Sequence, residues 1–117
     1  MAVMAICALG LMSTQLAIAR HAQAAAARER GAFAADAMTE AARFSTAAAI
    51  DAWRARVAAI VPEGLAAISD QGGETSIATV TWAAVDPVAG AELAAPAACP
   101  GAPGNPRRDC VAFGFVR

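Results

Sequence analysis

The feature that most constrains this chain is the uncharged stretch at its start. Residues 1–19 carry no charge, and their polar cluster is Ser13-Thr14-Gln15. No proline occurs in residues 1–43, which continue past Arg20 as an alanine-rich segment with scattered charges. Alanine has the highest intrinsic helix preference and proline the lowest, so such sequence is strongly helical. The spacing predicts one long helix, apolar in its first half and amphipathic in its second. At ~1.5 Å per residue the uncharged stretch reaches about 28 Å, close to the ~30 Å hydrocarbon core of a bilayer. Ala5, Ala8 and Gly10 keep part of its surface thin, which suits close helix–helix approach in a membrane or a bundle.

Three fates are open to residues 1–19, and the anchor is the one expected. A cleavable signal peptide would want a basic start, which residues 1–10 lack, although Ala22-Gln23-Ala24 has the A-x-A form of a cleavage site. A buried core helix is the third option. The anchor reading carries a topological tension. Arg20, Arg28 and Arg30 follow the apolar run, and the positive-inside rule would draw the C-terminal side toward the cytoplasm.

Beyond the anchor, Phe33, Ala37, Ala41 and Phe44 recur at helical spacing with Ala34 and Met38 beside them, which predicts an apolar stripe. Glu29, Asp36, Glu40 and Arg43 fall largely off it, and Glu40 and Arg43 are spaced to pair for ~0.3 kcal/mol. Gly31 is a soft point, where the helix either bends or tolerates the residue. A hydroxyl of Ser45-Thr46 is placed to cap a second helix. There Ile50, Trp53, Val57 and Ile60 form the apolar stripe, Asp51, Arg54 and Arg56 look outward, and Pro62 ends the helix.

The period then changes. Residues 65–69 read as a short strand, Asp70-Gln71-Gly72-Gly73 as a turn, and residues 75–83 as a half-buried strand completing a hairpin. In that second strand Ala78, Val80 and Trp82 alternate with Thr79 and Thr81. Prolines and glycines make residues 86–109 a loop. Val111, Phe113 and Phe115 alternate in a closing strand, whose two phenylalanines are expected against the long helix. The expected fold class is α+β: a long N-terminal helix packed by a small antiparallel sheet. The chain reads as one domain over residues 1–117, with a stalk at 1–44, an anchor at 1–19 within it, and a head at 45–117.

Chemistry is sparse. A net charge of −1 with no basic face argues against a nucleic-acid footprint. A head this small usually needs a disulfide, a metal or a partner. Cys99 and Cys110 bracket the Pro/Gly-rich loop and read as a disulfide, hence an oxidising compartment; the ring would contribute ~2–3 kcal/mol. The alternative, a metal pair, has neither a nearby histidine nor a second cysteine pair. His21, the single histidine, has no nucleophile or carboxylate spaced to build a relay, so a solvated interfacial role is expected. Asp36 and Glu40 share a helix face with no histidine one turn away, which reads as a solvated face. Trp53 and Trp82 occupy apolar positions and are expected in the core. Gly72-Gly73 lacks the lysine and helix of a phosphate loop. The Cys99–Cys110 loop, with Pro100, Pro103, Pro106, Arg107 and Arg108, is the surface feature best suited to meet a partner. No catalytic residue, metal ligand or cofactor site is expected, and the chain reads as non-enzymatic.

The parts together resemble a known family. An apolar helix running into an amphipathic one, then a small sheet and a C-terminal cysteine pair, is the layout of a type IV pilin. More narrowly, the chain resembles the minor pilins called type IV pilus modification protein (PilV). The residues that carry this are Ala8-Leu9-Gly10-Leu11-Met12, Phe33-Ala34-Ala35-Asp36-Ala37-Met38-Thr39-Glu40, Trp53, Val61-Pro62-Glu63-Gly64 and Thr79-Val80-Thr81-Trp82. Each motif is short, and their order and spacing carry the weight.

The family's prepilin signature is absent: a basic leader ending in glycine, ahead of a phenylalanine and a glutamate early in the mature helix. The resemblance places Met1 inside the mature helix, so the chain is expected to be truncated at its N-terminus or leaderless, and no residue here takes that glutamate's role. A leader ahead of Met1 would supply cytoplasmic positive charge and remove the topological tension.

The resemblance implies a non-catalytic subunit of a bacterial inner membrane, single-pass with a periplasmic head, later packed among other major and minor pilins at the filament surface or tip. It implies a role in pilus assembly or modification, with no cofactor, nucleic acid or small-molecule substrate. Two alternatives stand beside it: a minor pseudopilin of a type II secretion system, and a small secreted binding domain with a cleaved signal peptide.

Overall fold

Uninterrupted alanine-rich sequence gives an uninterrupted helix. In the computed structural model, which describes residues 2–44, 46–84 and 108–116, α1 runs over Ala2–Phe44 without a break. At ~1.5 Å per residue it is roughly 64 Å long, nearly the whole 67 Å length of the molecule. A second helix, α2, spans Ala47–Ile60. It stops where Val61 turns extended (φ −126°, ψ 147°), the conformation a residue ahead of proline prefers. Its N-cap is Thr46, whose side chain makes no capping bond. The first turn is closed by the Thr46 carbonyl, which accepts from Ala49 N–H at 3.0 Å. Backbone thus does the work expected of a hydroxyl at Ser45-Thr46; Ser45 itself lies outside the described residues.

Three strands follow: β1 (Leu65–Gly72), β2 (Thr75–Ala83) and β3 (Arg108–Val116), antiparallel in the order β1-β2-β3. β1 is longer than expected and absorbs most of the predicted turn. A register shift between Asp70 and Gly72 bends its end, and Gly72 and Gly73 take φ of 97° and 67°, a region glycine enters without steric cost. Ser76 Oγ donates to Asp70 Oδ1 at 2.7 Å across the hairpin. β3 begins at Arg108, within the stretch expected to be loop; residues 85–107 lie outside the described residues.

Register explains a second departure. Ala78, Val80 and Trp82 face the helices as expected, but Thr79 and Thr81 are buried too. β2 is the central strand, so Thr79 sits between Ala67 and Ala112, and Thr81 between Leu65 and Cys110. Neighbours on both sides close off positions that an edge strand would leave wet.

The core joins Ala34, Ala35 and Met38 of α1 to Val57, Val61, Ala78, Val80, Trp82 and Phe115. Ile50, Trp53, Ile60 and Val111 pack around it, half-buried. Each large side chain removed from water here contributes ~1.5–3 kcal/mol. Of the two phenylalanines expected on the long helix, Phe115 is buried, whereas Phe113 remains 39% exposed on the same face.

Candidate functional site: the long helix and its two surfaces

The candidate functional surface is α1, because its length and polarity are not explained by the head it carries. Its first half contains an 18-residue window that is long and apolar enough to cross a membrane, and none of that window is buried within the molecule. Val3, Met4, Ile6, Leu9, Leu11 and Met12 are each more than 60% exposed. Ser13 and Thr14 in this half donate to the Gly10 carbonyl at 2.8 and 2.9 Å, so their hydroxyls are satisfied inside the helix. That removes most of the cost of placing them in an apolar medium. The thiol of Cys7 lies free and exposed on the same half.

The upper half meets the head through Ala27, Gly31, Ala34, Ala35, Met38, Thr39 and Ala41. This corrects the expected stripe. Phe33 and Phe44 are 63% and 80% exposed, pointing away from the sheet, while Ala34, Ala41 and Met38 keep their inward places. The reason is the bulk of Trp82, a fully buried side chain of the central strand. A Cβ on Gly31 would meet its ring, 2.9 Å from Cη2 and 3.0 Å from Cε3. Only a bare backbone lets the helix come this close, so Gly31 is a seat for Trp82, not a bend in an otherwise continuous helix. Thr39, about two turns further along α1, is also buried and donates to the Ala35 carbonyl at 2.9 Å.

A second fixed point lies at the same end of the sheet, where Arg108 pairs with Ala83, the residue after Trp82. Arg108 Nη2 donates to the Glu63 carbonyl at 2.6 Å and to Thr81 O and Oγ1, each at 3.2 Å. Ala83 N–H donates to the Pro62 carbonyl at 3.1 Å. The turn after α2 is thereby tied to the ends of β2 and β3, with Glu63 held at φ 50°. Gly64 allows this, since a Cβ there would stand 2.5 Å from the Val57 carbonyl oxygen.

The other residues weighed for chemistry remain apart. His21, Asp36 and Glu40 are exposed on α1. Among the described residues the ion pair is Asp51–Arg54 at 2.9 Å, and Glu40 and Arg43 do not join. Trp53 is half-buried, with the Arg56 guanidinium 5.4 Å above its ring, so its apolar side serves the core and its outer side a cation. Gly73 and Glu74 form the hairpin turn, with Gly72 the last residue of β1. No group of three His, Cys, Asp or Glu side chains that could hold a metal occurs among the described residues. Cys110 is disulfide-bonded, while Cys99, its expected partner, lies outside the described residues.

Sequence reasoning singled out Gly31 and Arg108 but not these roles. Gly31 was expected to bend or be tolerated, and Arg108 to lie in a partner-facing loop, whereas Arg108 opens β3 and ties the turn after α2. Gly31 stands seven residues before Met38, in step with the small residues around it, and that spacing was its available signal. Arg108 had none, since its partners are distant in sequence. Comparison with family models, with curated proteins and with solved structures finds no match for this chain.

Proposed function

We infer that this chain is a non-catalytic, membrane-anchored assembly subunit: a minor pilin of a type IV pilus acting in pilus assembly or modification. One observation carries the reading. A single helix continues unbroken from a wholly unburied apolar half into a half that is packed by a small sheet. A soluble protein would leave that apolar surface in water, whereas a bilayer, and then a sheaf of similar helices, covers it at little net cost. The head is then periplasmic, passing to the cell surface with the filament, and Cys99–Cys110 is the pairing that an oxidising compartment supports. Its partners are other pilins, met through α1.

The test is genetic and physical together. Deleting the gene should reduce surface filaments, and the tagged full-length protein should fractionate with the inner membrane and with sheared filaments. Recovery only in secretion-system fractions would favour the pseudopilin reading. A soluble exported form beginning near Ala25 would sink the anchor and leave a secreted binding domain.

A further inference from the structure

A basic collar joins the top of the apolar half to the lower margin of the head. That margin is set by Ala27, the first residue of α1 that the head buries. Arg20 stands in the gap beneath it, and Arg28 and Arg30 stand at its edge. At ~100° per residue, Arg20 shares a face with Ala27 and Gly31, while Arg28 and Arg30 lie about 80° to either side. Glu29, the acidic residue of α1 at this level, falls on the opposite face. Arg28 and Arg30 are exposed, Arg20 is half-buried, and none of them joins an ion pair among the described residues. On the sheet, Arg108 has Glu63 and Asp109 beside it, and the acids Asp70 and Glu74 lie at the hairpin end. The unmatched positive charge is therefore the arc of arginines on α1.

We propose that this arc is a docking surface for anionic phospholipid headgroups. The inference rests on the membrane-subunit reading, which puts residues 1–19 in the hydrocarbon. Headgroups then extend roughly 5–8 Å beyond Ala19. Arg20 lies among them, while the Cα atoms of Arg28 and Arg30 stand about 13 and 16 Å above Ala19. Both are within ~10 Å of the headgroup surface, the Debye length at about 0.1 M salt. Helix side chains lean toward the N-terminus, and long arginines snorkel toward an interface, so both guanidinium groups can reach further down. The spread of the arc selects the partner. Arginines covering roughly 160° of a helix cannot all meet one flat protein surface, whereas lipids surround the stalk beneath the head.

The test uses the full chain in phosphatidylcholine vesicles, with its entry checked by flotation. Phosphatidylglycerol or phosphatidylcholine labelled with pyrene on the acyl chain is added in trace amounts, and energy transfer from the tryptophans reads the lipid nearest the stalk. In about 0.01 M salt, phosphatidylglycerol should be enriched there roughly fivefold over phosphatidylcholine. In about 1 M salt, where the Debye length falls to ~3 Å, the two should be nearly equal. R20Q/R28Q/R30Q should abolish the preference, and R43Q/R54Q, which removes charge higher on the head, should keep it. Equal enrichment at low salt, a preference that survives in R20Q/R28Q/R30Q, or one lost in R43Q/R54Q overturns the collar and leaves the membrane-subunit reading standing. A chain that does not float with the vesicles overturns both.

Discussion

Gly10 and Gly31 lie on one helix and do opposite things. A side chain at Gly10 would meet nothing within 4 Å, while at Gly31 it would strike the ring of Trp82. The two halves of α1 differ in the same way. The lower half presents apolar groups to whatever surrounds it, and any side chain of suitable polarity satisfies that demand. The upper half is specified by shape, because a close-packed interior registers the addition of one carbon. One helix therefore obeys two rules: composition below, complementarity above. Substitutions should separate them.

The largest separation is expected from Trp82→Ala. Emptying the centre of the head should cost about 3–5 kcal/mol, much of what a domain of this size holds. In circular dichroism of the full chain in micelles, the near-ultraviolet signal of the packed head should melt while the far-ultraviolet helical signal of the lower half persists. Leu9→Ala is the matching change below, and it should leave the midpoint of the head within about 0.5 kcal/mol. A comparable loss from Leu9→Ala would mean that the halves are one cooperative unit.

Next in size is the staple. Cys110→Ser should cost about 2–3 kcal/mol, by freeing the unfolded chain. If Cys99 is the other sulfur, Cys99→Ser should match that loss in thermal melts and the double variant should add nothing. Additive losses would show that the two cysteines do not pair. Gly31→Leu follows: it gains helix preference but drives a side chain into the tryptophan, for a net loss of about 1–3 kcal/mol in denaturant midpoint. A neutral result would show that the helix can slide off its seat.

Gly31 also marks where the chain was legible and where it was not. The long helix, the second helix with its Val57 stripe, and the bounds of β2 all follow from local composition and period. The inward face of α1 does not. On an alanine-rich helix hydrophobicity barely distinguishes one side from another, so the two phenylalanines are the strongest local signal, and they mark the side pointing away from the sheet. What orients the helix is a ring in a strand far along the chain, which small residues must accommodate. β3 is obscured for a related reason: its first residues follow a proline- and glycine-rich stretch, and their extended form comes from pairing with β2. The candidate surface was legible in its apolar half, where polarity alone defines it.

Arg108→Gln should cost less, about 1–2 kcal/mol, because it shortens a side chain whose partners are carbonyls and a hydroxyl near the surface. Its distinguishing mark is place. Hydrogen exchange should rise at Ala83 and in the turn after α2, and stay unchanged at the hairpin end of β1 and β2. Exchange rising evenly across the head would make Arg108 a general stabiliser, not a tie between the turn and the strands.

The smallest effect on the head is expected from Gly10→Ala, and it is the most informative about the lower half. Nothing in the molecule occupies the space that the new methyl would fill, and a helix interior favours alanine over glycine by about 1 kcal/mol. Head stability should therefore stay constant and helicity rise slightly. A thin strip matters only when another helix lies against it, as small residues do where membrane helices approach closely. Gly10→Ala should thus leave the isolated chain unharmed and weaken its association with neighbouring stalks, read as oligomer yield in vesicles. If association is unchanged, the lower half meets its neighbours through some other strip. If the head itself loses stability, the two halves are coupled through the helix, and the division between them fails.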